Sequence, residues 1–254
     1  MSKQRVIFVH GMFLTGRSWE RWEERFSRAG FDSVAPDWPG HDGLAAERRA
    51  SPDPALSSLR LGDVVDHFAA IASEGPGAPV LVGHSMGGLV VQLLLARGIG
   101  ARGVVLSSAP PNGVRSFAWS HLSANAAVLW PTSAPIVPSL DWWRGAFWHT
   151  GEPDAVRAAY DEHVVPESRL VGRGPLGAES AIDFARPRAP LLFVAGELDR
   201  IIPASLNRKN ASAYRAEAGV TELIELPGRT HYLAGQPGWE EVADRSLEWI
   251  AAQA

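Results

Sequence analysis

The sequence "APVLVGHSMGGLVVQLLLARG", residues 78–98, gives the clearest indication of the fold. Its first part, 78–85, is a short continuous apolar run, typical of a strand buried on both faces of a parallel sheet. Its second part, 86–98, is a mostly apolar run that predicts a buried helix. Ser85 stands at the junction, with a glycine two residues away on each side. A tight strand-to-helix turn needs small flanking residues, so this pattern predicts a strained Ser85 whose hydroxyl projects at the carboxyl end of the sheet.

The rest of the chain alternates strand and helix signals around this stretch. Further strands are predicted at 5–11, 31–37, 101–110, 189–196 and 220–228, and further helices at 18–30 (with Ser18 as its N-cap), 57–73, from about Pro203, and 238–253. Residues 43–55 are predicted as a polar loop broken by prolines. Apolar strands that are each followed by a helix imply a parallel sheet covered on both faces. We therefore predict an α/β fold with a mostly parallel sheet of about six strands and helices on both faces.

The alternation stops between residues 112 and 187. This segment contains five of the ten tryptophans, at positions 119, 130, 142, 143 and 148. We predict that residues 1–111 and 188–254 form the core and that 112–187 is a helical lid inserted over Ser85. Candidates for a substrate-contacting wall are Phe13, Phe117, Trp142, Trp143 and Phe147. The alternative is that the tryptophans only pack the lid onto the core.

A serine hydroxyl needs a base, and the base needs a carboxylate that orients it. His231 is the only one of the eight histidines that follows residue 163, and it lies just after the predicted strand 220–228. The predicted strand 189–196 leads into "GELDR", which offers Glu197 and Asp199. Serine, acid and histidine then follow one another in an order known for such triads.

Four motifs carry a resemblance to the α/β-hydrolase family, closest to its compact esterase and hydroxynitrile-lyase-like members: "HGMF" (10–13), "GHSMGG" (83–88), "GELDRIIP" (196–203) and "GRTHY" (228–232). The resemblance implies the spatial strand order 2-1-3-4-5-6. It also implies Asp199 as the acid, with Glu197 as the alternative. The oxyanion of the intermediate is expected to accept from the N–H groups of Met86 and Met12, with Phe13 as the alternative to Met12. His10 is expected to be structural, and His84 to have at most a supporting role.

Serine as the nucleophile indicates acyl chemistry. Members of the family that open epoxides or remove halides carry an aspartate at this position, so the resemblance with Ser85 argues against both reactions. We expect a hydrolase acting on an uncharged carboxylic ester or lactone that is small and apolar or aromatic. Two alternatives stay open. One is a cofactor-free lyase, although the predicted lid has no nearby lysine that would support cyanide chemistry. The only lysines of the chain are Lys3 and Lys209. The other is a ligand-binding protein that retains the triad.

The composition of the 254 residues narrows the partners. Apolar residues make up 46% and charged residues 20%, with a net charge of −4 and a pI near 6.1, so neither a nucleic-acid nor an anionic-membrane surface is indicated. There is no cysteine, no convincing metal-ligand spacing and no nucleotide-binding glycine motif. We expect no metal or other cofactor, no membrane span, a cytoplasmic location and a monomer or homodimer.

Overall fold

A computed structural model describes residues 3–115 and 118–253. Six strands form one sheet: β1 Arg5–Val9, β2 Asp32–Val34, β3 Val80–His84, β4 Arg102–Leu106, β5 Leu191–Gly196 and β6 Thr221–Leu226. All neighbouring strands are parallel, in the order β2-β1-β3-β4-β5-β6. The predicted fold class and strand order are confirmed. Because β3 lies between β1 and β4, Ser85 follows a central strand and emerges near the middle of the sheet's carboxyl edge.

Ten α-helices are present in the described residues: α1 Glu20–Arg28, α2 Ala45–Ala50, α3 Leu61–Ser73, α4 Met86–Ala96, α5 Trp119–Asn125, α6 Leu140–Trp142, α7 Pro153–His163, α8 Arg169–Arg173, α9 Ala204–Ala213 and α10 Trp239–Ala252. A π-helical turn, Trp143–Phe147, continues α6. Short 3-10 turns are found at Gly16–Trp19, Pro54–Ser57, Ala126–Leu129, Gly174–Leu176, Ala178–Ser180 and Ala216–Ala218. Within the described ranges no helix is long and apolar enough to cross a membrane.

The two faces of the sheet carry separate apolar cores, because successive strand residues point to opposite faces. On one face, Val6 and Phe8 of β1 pack with residues of α1 and α10. On the other face, Ile7 and Val9 pack with α3, α4 and buried residues of the segment 112–187. Helix α4 is buried along almost its whole length. It therefore holds the turn at Ser85 firmly against the sheet.

Residues 112–187 are called the insert below, and their described part forms a layer of short helices and turns. An isolated antiparallel bridge joins Ile136 to Glu167 inside it, and the Trp142 indole N–H donates to Ala124 O at 3.0 Å. The insert is tied to the core by Val165 N–H, which donates to Phe13 O at 3.0 Å, and by Ser168 Oγ–H, which donates to Leu59 O at 2.7 Å. These contacts hold one wall of the cavity described below.

Two local expectations were wrong. The stretch 43–55 is not simply a loop, because it contains α2 and the start of a 3-10 turn. Ser18 is not an N-cap, because it lies inside the 3-10 turn that precedes α1 and its hydroxyl donates to Thr15 O at 2.7 Å. Arg49 connects α2 to the rest of the molecule, because its guanidinium donates to Val164 O at 2.6 Å. Such a tertiary contact leaves no local sequence signal.

Candidate active site

The turn between β3 and α4 holds Ser85 in an unfavourable backbone conformation, with φ 55° and ψ −118°. Its N–H donates to Leu106 O at 2.9 Å, and its carbonyl accepts from the Ala109 N–H at 2.9 Å. The flanking glycines are needed for close backbone approach. A Cβ on Gly83 would lie 2.3 Å from Gly87 O, and a Cβ on Gly87 would lie 2.2 Å from Val9 O. The glycines predicted to make room for the turn therefore do so.

Ser85, His231 and Asp199 form one hydrogen-bonded chain. Ser85 Oγ lies 2.9 Å from His231 Nε2, and His231 Nδ1 lies 2.8 Å from Asp199 Oδ2. The carboxylate can only accept, so Nδ1 carries the proton and Nε2 is left to accept from the serine hydroxyl. His231 is 1% exposed and Asp199 is 5% exposed. In this geometry Nε2 can take the serine proton while the buried carboxylate stabilises the resulting imidazolium.

The structure separates the two acidic candidates on the loop after β5. Asp199 Oδ1 accepts from the N–H groups of Ile201 and Ile202, each at 2.8 Å, which leaves Oδ2 free to face His231. Glu197 instead accepts from the Gly228 N–H at 3.0 Å through Oε2. Only Asp199 therefore reaches the histidine.

His84 supports the loop that carries His231. Its Nε2–H donates to the His231 carbonyl at 2.8 Å, and the two rings lie 4.8 Å apart. Burial, reinforced by the neighbouring His231, lowers the pKa of His84 to about 3. The ring is therefore neutral near pH 7 and acts as a donor to the loop.

This neutral ring predicts a specific sensitivity to acid. The unfolded chain takes up a proton on His84 below about pH 6.5, whereas the folded protein does not until about pH 3. As the pH falls through that window, the free energy of unfolding decreases by about 1.4 kcal/mol per pH unit because of His84 alone. We expect His84→Gln to show a correspondingly shallower loss between about pH 6 and pH 4.5 in urea titrations. Equal slopes for variant and wild type would contradict a neutral buried His84.

Three residues near Ser85, at the start of α4 and on the loop after β1, have backbone N–H groups without a partner among the described residues. Met86 is the first residue of α4, where the N–H has no partner within the helix. Met12 and Phe13 lie on the loop after β1, and Phe13 has a left-handed φ of 69°. In the described part of the chain, no atom accepts a hydrogen bond from the N–H of these three residues. All three residues also line the cavity at Ser85.

His10 fixes the start of that loop, as expected. Its Nδ1–H donates to Gly11 O at 2.9 Å, and its Nε2 accepts from the Trp38 N–H at 3.0 Å. Burial and the neighbouring His41 lower the pKa of His10 well below its ordinary value. The ring is thus a neutral structural link between two core loops.

A cavity of about 820 Å³ opens at Ser85. Core residues on its wall include Met12, Phe13, Met86 and His231, and most of the rest comes from the insert. Among the described residues of the lining there is no carboxylate, and the arginines are Arg115 and Arg169. The size and the largely apolar wall are those of a site for a small organic molecule. Across the described ranges, no cluster of three or more histidine, cysteine, aspartate or glutamate residues could hold a metal ion.

The structure places three of the candidate contact residues in the cavity wall and one outside it. Phe13, Trp142 and Phe147 line the cavity. Trp143 does not, because its fully buried ring is stacked on Phe147 at 3.9 Å and lies outside the cavity wall. Phe117 lies outside the described residues. Sequence reasoning missed several wall residues, including Asn125, Val137, Leu176, Ile201 and Ile202.

His121 also lines the cavity, where its Nδ1–H donates to Ile201 O at 2.7 Å. Its position in the sequence gave no reason to choose it over the other histidines of the insert. Its contact with Ile201 spans 80 residues of sequence, so no local pattern could distinguish His121 from the other histidines of the insert.

A strand-to-helix turn with a serine, on a parallel sheet of this order, defines a class of protein. The model of the alpha/beta hydrolase family matches residues 6–245, and the chain belongs to that family. It is 27% identical to a monoacylglycerol lipase of Mycolicibacterium smegmatis over 97% of this chain and 88% of that protein.

Solved structures with the same fold include a monoacylglycerol lipase of Paleococcus ferrophilus, with a TM-score of 0.71, 21% identity and coverage of 100% of this chain and 97% of that one. Another is a pyrethroid hydrolase of Sphingobium faniae JZ-2, with a TM-score of 0.72, 17% identity and coverage of 99% and 98%. At these identities the structures support the fold.

Proposed function

We propose that the protein is a serine hydrolase that cleaves a carboxylic ester or lactone of a small, apolar or aromatic substrate through an acyl-enzyme. The observation that carries the proposal is the hydrogen-bonded chain Ser85–His231–Asp199, which opens on an apolar cavity. The names of the lipase relative and of the structurally similar hydrolase are consistent with ester hydrolysis.

Each member of the chain has a role in the proposed reaction. Ser85 Oγ attacks the carbonyl carbon while His231 Nε2 takes the hydroxyl proton, and Asp199 stabilises the imidazolium. The tetrahedral oxyanion accepts hydrogen bonds from the N–H groups of Met86 and Met12, with Phe13 as the alternative to Met12. Collapse of this intermediate passes the proton to the leaving alkoxide and leaves the acyl group on Ser85. His231 then activates the water that releases the acid.

The insert acts as a lid in this proposal. It supplies Val137, Trp142 and Leu176 to the cavity wall, so it decides which substrates fit over Ser85. An uncharged acyl chain is favoured, because burying each methylene contributes up to about 0.8 kcal/mol. A cation would leave water for a wall whose described residues include two arginines and no carboxylate, so its binding is disfavoured.

A panel of p-nitrophenyl esters tests the proposal. From acetate through butyrate to octanoate, we expect kcat/KM to rise by about tenfold or more as apolar surface is buried. A matched ester whose acyl chain ends in a trimethylammonium group is expected to react at least about tenfold more slowly than its uncharged counterpart.

The outcomes of the panel separate the alternatives. Equal rates for all chain lengths would contradict the apolar acyl site. No cleavage of any ester, together with failure of an alkyl fluorophosphonate to label Ser85, would contradict the hydrolase. Labelling of Ser85 without ester turnover would favour a lyase or a ligand-binding protein.

A further inference from the structure

A buried ion pair joins the insert to the core behind the loop after β1. His41 Nε2 lies 3.0 Å from Glu167 Oε2, and neither side chain has any exposed surface. His41 Nδ1 lies 3.2 Å from Pro39 O, and Glu167 Oε1 accepts from the Ser168 N–H at 2.6 Å. Both ring nitrogens thus face acceptors, so each carries a proton and His41 is an imidazolium. Neither residue reaches the cavity at Ser85.

The pair fixes the place of the insert segment 164–168. Burial alone would lower the pKa of His41, but the Glu167 carboxylate, helped by the Pro39 carbonyl and by Asp37, raises the pKa above its ordinary value. A buried carboxylate without its cation is strongly unfavourable, so Glu167 cannot leave His41 without a large cost. The Glu167 backbone is also held, because it exchanges two hydrogen bonds with Ile136, at 2.8 and 2.9 Å.

This segment in turn holds the strained residue of the proposed oxyanion loop. The Val165 N–H donates to Phe13 O at 3.0 Å, two residues before Glu167. Phe13 is not a glycine, yet it has a φ of 69°, a conformation that persists only where the surroundings impose it. The Phe13 carbonyl belongs to the peptide plane that follows the Phe13 Cα, so holding it constrains the adjoining plane, which carries the Phe13 N–H. The Met12 N–H lies one plane further along and shares its plane with Gly11 O.

A second contact connects the pair to the same loop. The His41 ring lies 5.4 Å from the His10 ring and 5.7 Å from the Trp38 ring. His10 in turn holds Gly11 O. The ion pair therefore supports both ends of the loop, through His10 at its start and through Val165 at Phe13.

We propose that His41 and Glu167 are positioning residues, which hold the insert segment 164–168 against the loop after β1 and so set the geometry of its oxyanion donors. This inference rests on the proposed function of Ser85. It makes the insert a determinant of transition-state stabilisation in addition to a wall of the cavity.

Two substitutions of Glu167 weaken its contact with His41 to different extents. Glu167→Gln keeps the size but replaces one acceptor oxygen with a donor, so His41 must give up a proton to keep the contact. Glu167→Ala removes the contact. With p-nitrophenyl butyrate we expect kcat to fall about fivefold in Glu167→Gln and about thirtyfold in Glu167→Ala, with KM within about twofold of the wild type.

An alkyl boronic acid gives a readout that a merely structural role would not change. Its boron accepts the electron pair of Ser85 Oγ while the hydroxyl proton passes to His231, which gives a tetrahedral anion with an oxygen at the oxyanion donors. We expect its inhibition constant to rise in step with the fall in kcat/KM. The control Tyr160→Phe removes another insert hydrogen bond, to Pro138 O at 2.8 Å, and is expected to leave kcat, KM and the inhibition constant within about twofold.

The outcomes are distinguishable. If both Glu167 variants lower the melting temperature but keep kcat and boronic-acid affinity, or if only KM changes, the positioning role is overturned. If Glu167→Ala fails to fold, Glu167→Gln decides alone by the same criteria. If the wild type itself cleaves no ester and Ser85 is not labelled by a fluorophosphonate, the proposed function fails, and this inference with it.

Discussion

Replacing Ser85 with alanine is expected to lower kcat/KM for the best ester by about four to six orders of magnitude and to leave the fold intact. The hydroxyl lies 2.9 Å from His231 Nε2 and is the proposed nucleophile, so its loss removes the attacking group. Because alanine keeps a Cβ, the strain at φ 55° is unchanged and the glycine-lined turn still fits.

The test compares kcat/KM and the melting temperature of the variant with those of the wild type. Ser73→Ala is a suitable control, because this exposed hydroxyl donates to Ala70 O on α3 and is absent from the cavity wall. It is expected to retain wild-type activity. An unfolded Ser85→Ala protein would mean that the serine is structural, and a folded variant with more than about a hundredth of wild-type activity would exclude it as the nucleophile.

Asp199→Asn is expected to lower kcat by about ten-thousandfold with little change in folding. The reason lies in the backbone N–H groups of Ile201 and Ile202, which donate hydrogen bonds to Asp199 Oδ1. They would keep the asparagine oxygen on their side and turn its NH₂ group toward His231 Nδ1. His231 Nδ1 would then have to accept, the proton would move to Nε2, and Nε2 could no longer take the proton of Ser85.

Glu197→Gln is the matched control, since this carboxylate is the neighbouring acid that the sequence also offered. Its partner is the Gly228 N–H, which a glutamine oxygen can equally accept from. We expect its kcat to stay within about twofold of the wild type. If Asp199→Asn is nearly as active as the wild type while Glu197→Gln is not, the assignment of the acid is wrong.

The sheet and the Ser85 turn could be predicted because their signals are local. Each buried strand is a continuous apolar run, and the strand order followed from the family resemblance. The turn required small residues at fixed positions, which Gly83 and Gly87 supply. The structure also brings Ser85, His231 and Asp199 together, as the order of these residues along the chain indicated. Their catalytic roles stay predictions.

The insert was less predictable, for physical reasons. The tryptophan-rich stretch gave no period that tells an inward face from an outward one, so Trp143 and Trp142 were chosen alike. The π-helical turn then places Trp143 behind Phe147 and outside the cavity wall. The His41–Glu167 pair spans 126 residues of sequence, and no local pattern indicates such a contact.

Covalent labelling shows whether Ser85 is an activated nucleophile. An alkyl fluorophosphonate should add one phosphonyl group per chain, and peptide mass mapping should place it on Ser85. Labelling should be lost in Ser85→Ala and strongly slowed in Asp199→Asn. If the folded wild-type protein stays unlabelled under conditions that modify a known serine esterase, or is labelled at another residue, Ser85 is not an activated nucleophile.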